Sequence, residues 1–515
     1  TAGIALGMMT LGCGSDAKTR PDATLSSDAS VVADAAMVVD SLPPVVDAPV
    51  AVDVPAPLDA DLQLDTPSDD AGVPVPDSSA PIPSRDGGAA LPACASLVNP
   101  IYITTGDVHV PLLRQVGKLL RAQPNPTTLV WVTTDACSMV SAIYAGNKFT
   151  TNGSYIPADP AWDETAGSLP SCSVPSAGVP IDLATFCGDP SICGAGPTPN
   201  NLRLVTGPVQ TFIYIVPSAS IATAISAEEA YFVFGFGENG QVSPWTNPDF
   251  YFIRNPTAGV QIVLGLANGV PSAKWKGQRL KGMAPVSAAV ASATAPDQAI
   301  GILGTETYDL ASNRAVLRSL SFQARGQDLG YLPDSLPTSF DKRNVRDGHY
   351  VVSSHVFYLL PVDTAGTATN ARVKSLVELF TGGPGAVSAG VDPISLVARN
   401  GLVPDCAMTV QRPSEGADLT PYAPADVCGC AFEAAVGKAP ASCIACTTDS
   451  QCTGARCMHG YCESADGRTS LSDCAAPSAD YASILNNSCT GRSTSPKRPV
   501  PKLQQANGGN LPPLP

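Results

Sequence analysis

An α/β fold built on a parallel sheet and divided into two lobes is the architecture this sequence predicts, and three observations predict it. Near residue 100 a strand–loop–helix order occurs twice in succession. Between Ser226 and Gln261 a capped helix, a short strand and a second helix start follow one another, flanked by two further strand-like runs. Composition breaks on either side isolate this region, with a leader rich in proline and aspartate before it and a cysteine-dense stretch after it. The chain has 515 residues, 49 of them Pro and 45 Gly, with 15% charged residues and a formal net charge of −15. That length admits more than one domain, and the uneven composition means that not all of it folds. A nucleic-acid surface needs clustered Lys and Arg to neutralise phosphates, so the acidic balance excludes that class of partner.

Residues 1–12, TAGIALGMMTLG, read as the end of an apolar signal region that is too short to span a bilayer. Thr10-Leu11-Gly12-Cys13 has the form of a lipobox, which makes Cys13 the expected lipidation site and the membrane a partner through that anchor. Gly14 and Ser15 follow, and neither is acidic, which by resemblance to bacterial lipoproteins implies the outer membrane. Residues 14–90 repeat Asp, Ala, Pro and Val. Proline stiffens such a segment and the carboxylates repel one another, so it reads as a disordered, extended tether.

The folded part begins near Val98. Ile101-Tyr102-Ile103 reads as a buried strand, 104–109 as a loop and 111–121 as a helix, with Pro111 in its first turn. The apolar, β-branched run 128–133 is a second strand, Thr134-Asp135-Ala136-Cys137 a loop and 138–146 a helix. This alternation implies a parallel sheet, with ligands expected at the carboxyl ends of its strands, so both loops belong to one mouth.

Ser226 and Glu229 form an S-x-x-E capping box, which starts a helix that Gly235 and Gly237 end. Residues 250–253 read as a buried strand, and Arg254 to Gly259 leads into another helix. A strand, a basic residue and a helix N-terminus together suit an anion. The runs 211–216 and 298–303 would complete a second lobe, with 317–323 and 351–360 returning to the first.

The stretch around Arg254 resembles the bacterial phosphate-binding (PstS-like) proteins of the type 2 periplasmic solute-binding fold, in the form of a myxobacterial lipoprotein. The resemblance covers about residues 98–360. It implies a two-lobe α/β domain over 91–400, with lobe 1 at about 98–205 and 316–385 and lobe 2 at about 206–315. It also implies non-catalytic capture of a small ligand, delivery to a permease, and no cofactor. In the family an R-x-x-x-S-G-T segment holds phosphate; here Arg254 and Gly259 match, while Ala258 and Val260 stand where Ser and Thr are expected. The family's T-G-S-S-A loop corresponds to Thr105-Gly106-Asp107-Val108-His109, and its G-S-C loop to Asp135-Ala136-Cys137. A third segment, 186–193, carries Cys187 at the place of the expected aspartate. The family pattern also implies a Cys137–Cys172 bridge.

A buried oxyanion without a donor forfeits a charge-assisted hydrogen bond of about 1.5–3 kcal/mol, and several donors are missing. Asp107 and Asp135 either cap helices or occupy and repel the anion's place. His109 reads as an exposed loop residue, and His349 and His355, six apart, as a surface-loop residue and a strand residue. Gly235 to Gly240 spells G-x-G-x-x-G, but it follows a helix instead of a strand and so reads as a helix stop. No nucleophile elbow, phosphate-binding loop or zinc motif is present in the sequence.

Residues 401–492 are a cysteine-rich segment with Cys443, Cys446, Cys452, Cys457 and Cys462 at its centre. So small a segment needs bridges to fold, and an exported chain meets the oxidising compartment they require. A metal site would lack histidines, since His459 is the only one there. The ten cysteines from Cys406 on are expected to bond among themselves, and the odd number after Cys13 leaves at least one unpaired. Residues 493–515 read as a disordered tail. Three functions fit: capture of a small molecule such as an oxyanion; a degenerate binding fold that serves surface contact or adhesion; and an extracellular hydrolase, which has no positive support.

Overall fold

Pro100–Thr105 (β1) and Thr128–Thr133 (β2) pair in parallel, Ile101 beside Leu129 and Ile103 beside Trp131. Leu183–Cys187 (β3) adds in parallel on the other side of β1. Both faces of this sheet are covered, as a parallel sheet requires. Ile101, Ile103, Leu129 and Trp131 meet Leu112, Leu113 and Val116 of the helix Val110–Arg121 (α1). Val130, Ala184 and Phe186 point the other way, onto Met139, Val140 and Ile143 of Ala136–Tyr144 (α2). Alternate residues of β2 thus serve two different layers. This computed structural model describes residues 91–163, 169–327, 329–437, 439–464 and 514. The signal region, Cys13, the tether, Cys474, Cys489 and the tail, apart from Leu514, lie outside the described residues.

The chain leaves the first lobe along Leu202–Pro217 (β4), whose 16 residues exceed the sequence-predicted 211–216 at both ends. In the second lobe Ala227–Phe236 (α3) carries the capping box: the Ser226 N–H donates to Glu229 Oε2 at 2.9 Å and the Glu229 N–H to Ser226 Oγ at 3.1 Å. Tyr251–Ile253 (β5) then leads to Gly259–Asn268 (α4), and Gln278–Arg279 (β6) to Met283–Ala291 (α5). Ile300–Gly304 (β7) runs antiparallel to β4, Ile302 beside Tyr214. Gly237, at φ 62°, ends α3, so the glycine-rich run is the helix stop that its position implied.

Leu317–Ser319 (β8) and Ser321–Gln323 (β9) do not return to the first lobe as expected. β8 pairs with the second-lobe end of β4, β9 pairs with Ala224–Ser226, and Leu317, Leu320 and Phe322 sit in the second lobe's core. The physical reason is partner choice: β4 is long enough to offer its far end a free edge. The return is made by Ser353–Pro361 (β10) alone, inserted between β3 and β4. The strand order is therefore β6-β5-β7-β4-β10-β3-β1-β2, continued past β2 by Gly153–Tyr155 and then Ser171–Cys172 at the edge, with β4 and β10 as the crossing strands. This is the two-lobe α/β architecture expected from the sequence.

The first lobe closes with Ala371–Thr381 (α6) and Pro393–Ala398 (α7). Beyond them the cysteine-rich segment does not stand apart from residue 401. Val403 and Val209 exchange backbone hydrogen bonds of 2.7 and 2.9 Å, and Met408, Val410, Leu419 and Phe432, the last in Gly429–Val436 (α8), enter the second lobe's core. Glu433 fixes α8 by accepting from Arg346 at 2.8 Å.

The disulfides correct one pairing. Cys137 bonds Cys193, and Cys172 bonds Cys94, because the turn holding Cys94 lies along Ser171–Cys172 while the first turn of α2 faces Pro190–Cys193. Cys406–Cys428, Cys430–Cys443, Cys446–Cys457 and Cys452–Cys462 remain within their own group. Among the described residues Cys187 is the free thiol, and it is buried.

Candidate functional site

The structure gathers Gly106, Asp107, Val108, Asp135, Ala136, Arg254, Ala258, Gly259 and Val260 around one cavity between the lobes. Each comes from the carboxyl end of a strand or the first turn of the following helix, where parallel-sheet topology converges. Gly106 and Asp107 follow β1, Asp135 and Ala136 follow β2, and Arg254 to Val260 join β5 to α4. Thr134, Met139, Phe186 and Met283 line the cavity as well, and local motifs did not single them out. Cys187 completes the wall. Gly259 must lack a side chain, since a Cβ there would stand 2.4 Å from Cys187 Sγ and 2.7 Å from the Cys187 carbonyl oxygen.

Arg254 is held in the second lobe with only 5% of its surface exposed, its backbone N–H donating to Gln261 Oε1 at 2.8 Å. Its guanidinium faces the first lobe, where it donates to Asp107 Oδ2 at 3.1 Å and Oδ1 at 3.4 Å. Asp107 Oδ2 also accepts the Met283 backbone N–H at 2.5 Å. A carboxylate thus receives an arginine and the first N–H of α5, the donor set a helix N-terminus offers an anion.

Asp135 crosses the cleft in the same way. Its Oδ2 accepts from Asn255 Nδ2 at 3.2 Å and Thr257 Oγ1 at 3.1 Å, and its Oδ1 lies 4.0 Å from Arg254 Nη2. The Cys137 N–H meets the Thr257 carbonyl at 3.3 Å. Although Asp135 is the N-cap of α2, its side chain makes no capping bond. The helix-capping reading of these two aspartates is therefore replaced by a bridging one. Val108 enters the apolar cluster of Val260 and Met283, so an apolar contact accompanies the polar ones.

Between these bonds the cavity measures about 20 Å³, room for about one water molecule. Arg254 Nε, buried beside it, has no acceptor among the described residues.

Behind the cleft lie two buried titratable groups. His109, read from sequence as exposed, is 2% exposed, its Nδ1 2.6 Å from Thr185 Oγ1. The 3-10 turn Asp107–His109 directs it inward. Burial lowers its pKa to about 4. Glu306 accepts from Gln210 Nε2 at 2.8 Å, and burial raises its pKa to about 7. His349 is also fully buried, against Tyr331 and Asp347, and does not belong to a surface loop.

The two shifts have opposite linkage signs. Folded Glu306 binds its proton more tightly than the unfolded chain does, so its contribution is lost as pH rises from about 4.5 to about 7. Folded His109 binds its proton less tightly, so its contribution is lost as pH falls from about 6.5 to about 4. Replacing Glu306 by Gln is expected to remove the first slope and expose the second. Urea midpoints should then rise with pH across that window more steeply than in wild type. A variant whose pH profile parallels the wild-type one would contradict this assignment.

Cys446, Cys452 and Cys462 place their sulfurs within 4.8 Å of one another, but all three are oxidised in disulfides and offer no thiolate. Among the described residues no helix is long and apolar enough to cross a membrane.

No family model matches the sequence, and neither does any curated protein. Solved structures do resemble the fold. One, from Clostridium perfringens, is described as a phosphate ABC transporter substrate-binding protein with bound phosphate; it is 9% identical, with a TM-score of 0.40 over 59% of this chain and 99% of that one. An ABC-type phosphate transport receptor from Vibrio cholerae is 13% identical, with a TM-score of 0.36 over 59% and 99%. The reduced OxyR regulatory domain from Pseudomonas aeruginosa is 10% identical, with a TM-score of 0.30 over 54% and 95%.

Proposed function

We propose that this protein is a non-catalytic, extracytoplasmic solute-binding protein in which an internal carboxylate takes the anion position, so that inorganic phosphate is not its ligand. The observation that carries this reading is Asp107, seated on Arg254 and the Met283 N–H. A free phosphate would have to displace a tethered competitor and then meet Ala136, Ala258 and Val260, which donate no side-chain hydrogen bond. In this reading Cys13 carries lipid at the outer membrane, residues 14–90 hold the domain off the bilayer, and a permease or surface partner receives the solute. The bonds of Asp107 and Asp135 across the cleft equally favour a second reading, a closed scaffold used for surface contact.

Calorimetric titration of the full chain with phosphate, sulfate and a panel of neutral solutes tests these readings. The expected result is no phosphate binding at millimolar concentration and binding of another solute. Micromolar phosphate affinity would overturn the proposal, and silence across the whole panel would favour the scaffold. Mass spectrometry of the membrane fraction checks the anchor, which an unmodified Cys13 would exclude.

A further inference from the structure

Outside the small cavity the cleft opens into a groove of about 1050 Å³ shared by both lobes. This is large for phosphate and suits an organic solute. Four basic residues line it: Arg114 on α1, Arg254, Lys281 just before α5, and Arg399 just after α7. Its acidic residues are Asp107 and Asp135, and both are turned onto Arg254. The groove is therefore net positive in a chain of net charge −15.

The cations stand on opposite walls. The Asn400 side chain donates to Gln115 Oε1 at 2.7 Å, fastening the Arg399 turn to α1 beside Arg114. Lys281 belongs to the second lobe, two residues before the N–H that holds Asp107. A groove of this volume, with cations contributed by both lobes, has room for a molecule that carries charges at two ends. The walls between them are partly apolar, with Val110, Pro111 and Leu310 available to cover a carbon frame.

We propose that this groove binds a small organic molecule bearing two or more anionic oxygen charges, carboxylate or phosphate, while the Asp107–Arg254 pair beneath it stays closed. The inference rests on the solute-binding reading above and names the ligand class for the same cleft.

The test is calorimetric titration of the full chain with citrate and glucose 6-phosphate, and with glucose and spermidine as neutral and cationic counterparts. Either anion should bind and the counterparts should not; which anion binds identifies the oxygen group. Lys281 and Arg399 are exposed, so Lys281→Glu and Arg399→Glu should leave the urea midpoint of the free protein in place. Each should weaken anion binding about tenfold or more. Failure of both anions to bind, affinity unmoved by both variants, or binding of spermidine would overturn the proposal. If a neutral solute binds instead, solute binding stands and only the ligand class falls; if nothing in either panel binds, both readings fall together.

Discussion

Replacing Asp107 by Ser together with Ala136→Ser, Ala258→Ser and Val260→Thr is expected to create affinity for inorganic phosphate, raising it by several powers of ten over that of the wild type. Arg254 and the Met283 N–H already converge on one point, and Asp107 fills it. Removing that carboxylate frees both donors and takes away a like charge next to the ligand. Each restored hydroxyl adds about 1 kcal/mol of hydrogen bonding, and about 1.4 kcal/mol is tenfold in affinity. Ala258 is the N-cap of α4 and makes no capping bond, so Ser there also stabilises the helix by about 1 kcal/mol. Without ligand the variant should be less stable than wild type, because a buried arginine has lost its closest partner. Phosphate should then raise its melting temperature, since a ligand that binds only the folded state stabilises it. The comparison belongs at fixed pH and salt, as charge terms at a cleft mouth are screened. A quadruple variant that stays silent to phosphate would show that Asp107 does not stand in the anion position.

The second large effect is expected at a buried ion cluster outside the small cavity. Lys342→Met should lower stability by about 3–5 kcal/mol, because it leaves a buried carboxylate cluster short of one charge. Lys342 is 1% exposed, with Nζ 2.7 Å from Asp309 Oδ2 and 2.8 Å from Asp334 Oδ1. Arg314 touches the same two aspartates, Asp334 at 3.0 Å. With Lys342 removed, one arginine faces two carboxylates in a cluster that is largely shielded from water. The urea midpoint should fall with the slope unchanged. Adding Asp334→Asn should recover part of the loss by removing the surplus charge. A midpoint shift as small as that of a surface substitution would show that the cluster is solvated.

The local signals in this sequence were those whose partners lie within a few residues. The Ser226–Glu229 box spans one helical turn, and the structure contains both of its hydrogen bonds. β1, β2 and the turn into α4 follow from short apolar runs and their punctuation, and the resemblance around Arg254 placed nine residues that do surround one cavity. What only the tertiary structure decided is which distant groups meet. Asp107 and Arg254 are 147 positions apart, and the sequence leaves open whether Asp107 caps a helix or takes the anion's place, a choice decided only when the two side chains meet. Cys94 reaches Cys172 across 78 positions because a turn happens to run beside an edge strand. His109 is buried because the 3-10 turn after β1 rotates it inward, an angle that a single loop histidine does not announce. Residues 317–319 joined the second lobe because β4 offered them an edge, and 321–323 because Ala224–Ser226 did. Helix caps and strand runs are written in neighbouring residues, whereas burial, ion pairing and disulfide choice depend on distances through space that exist only after the chain has folded.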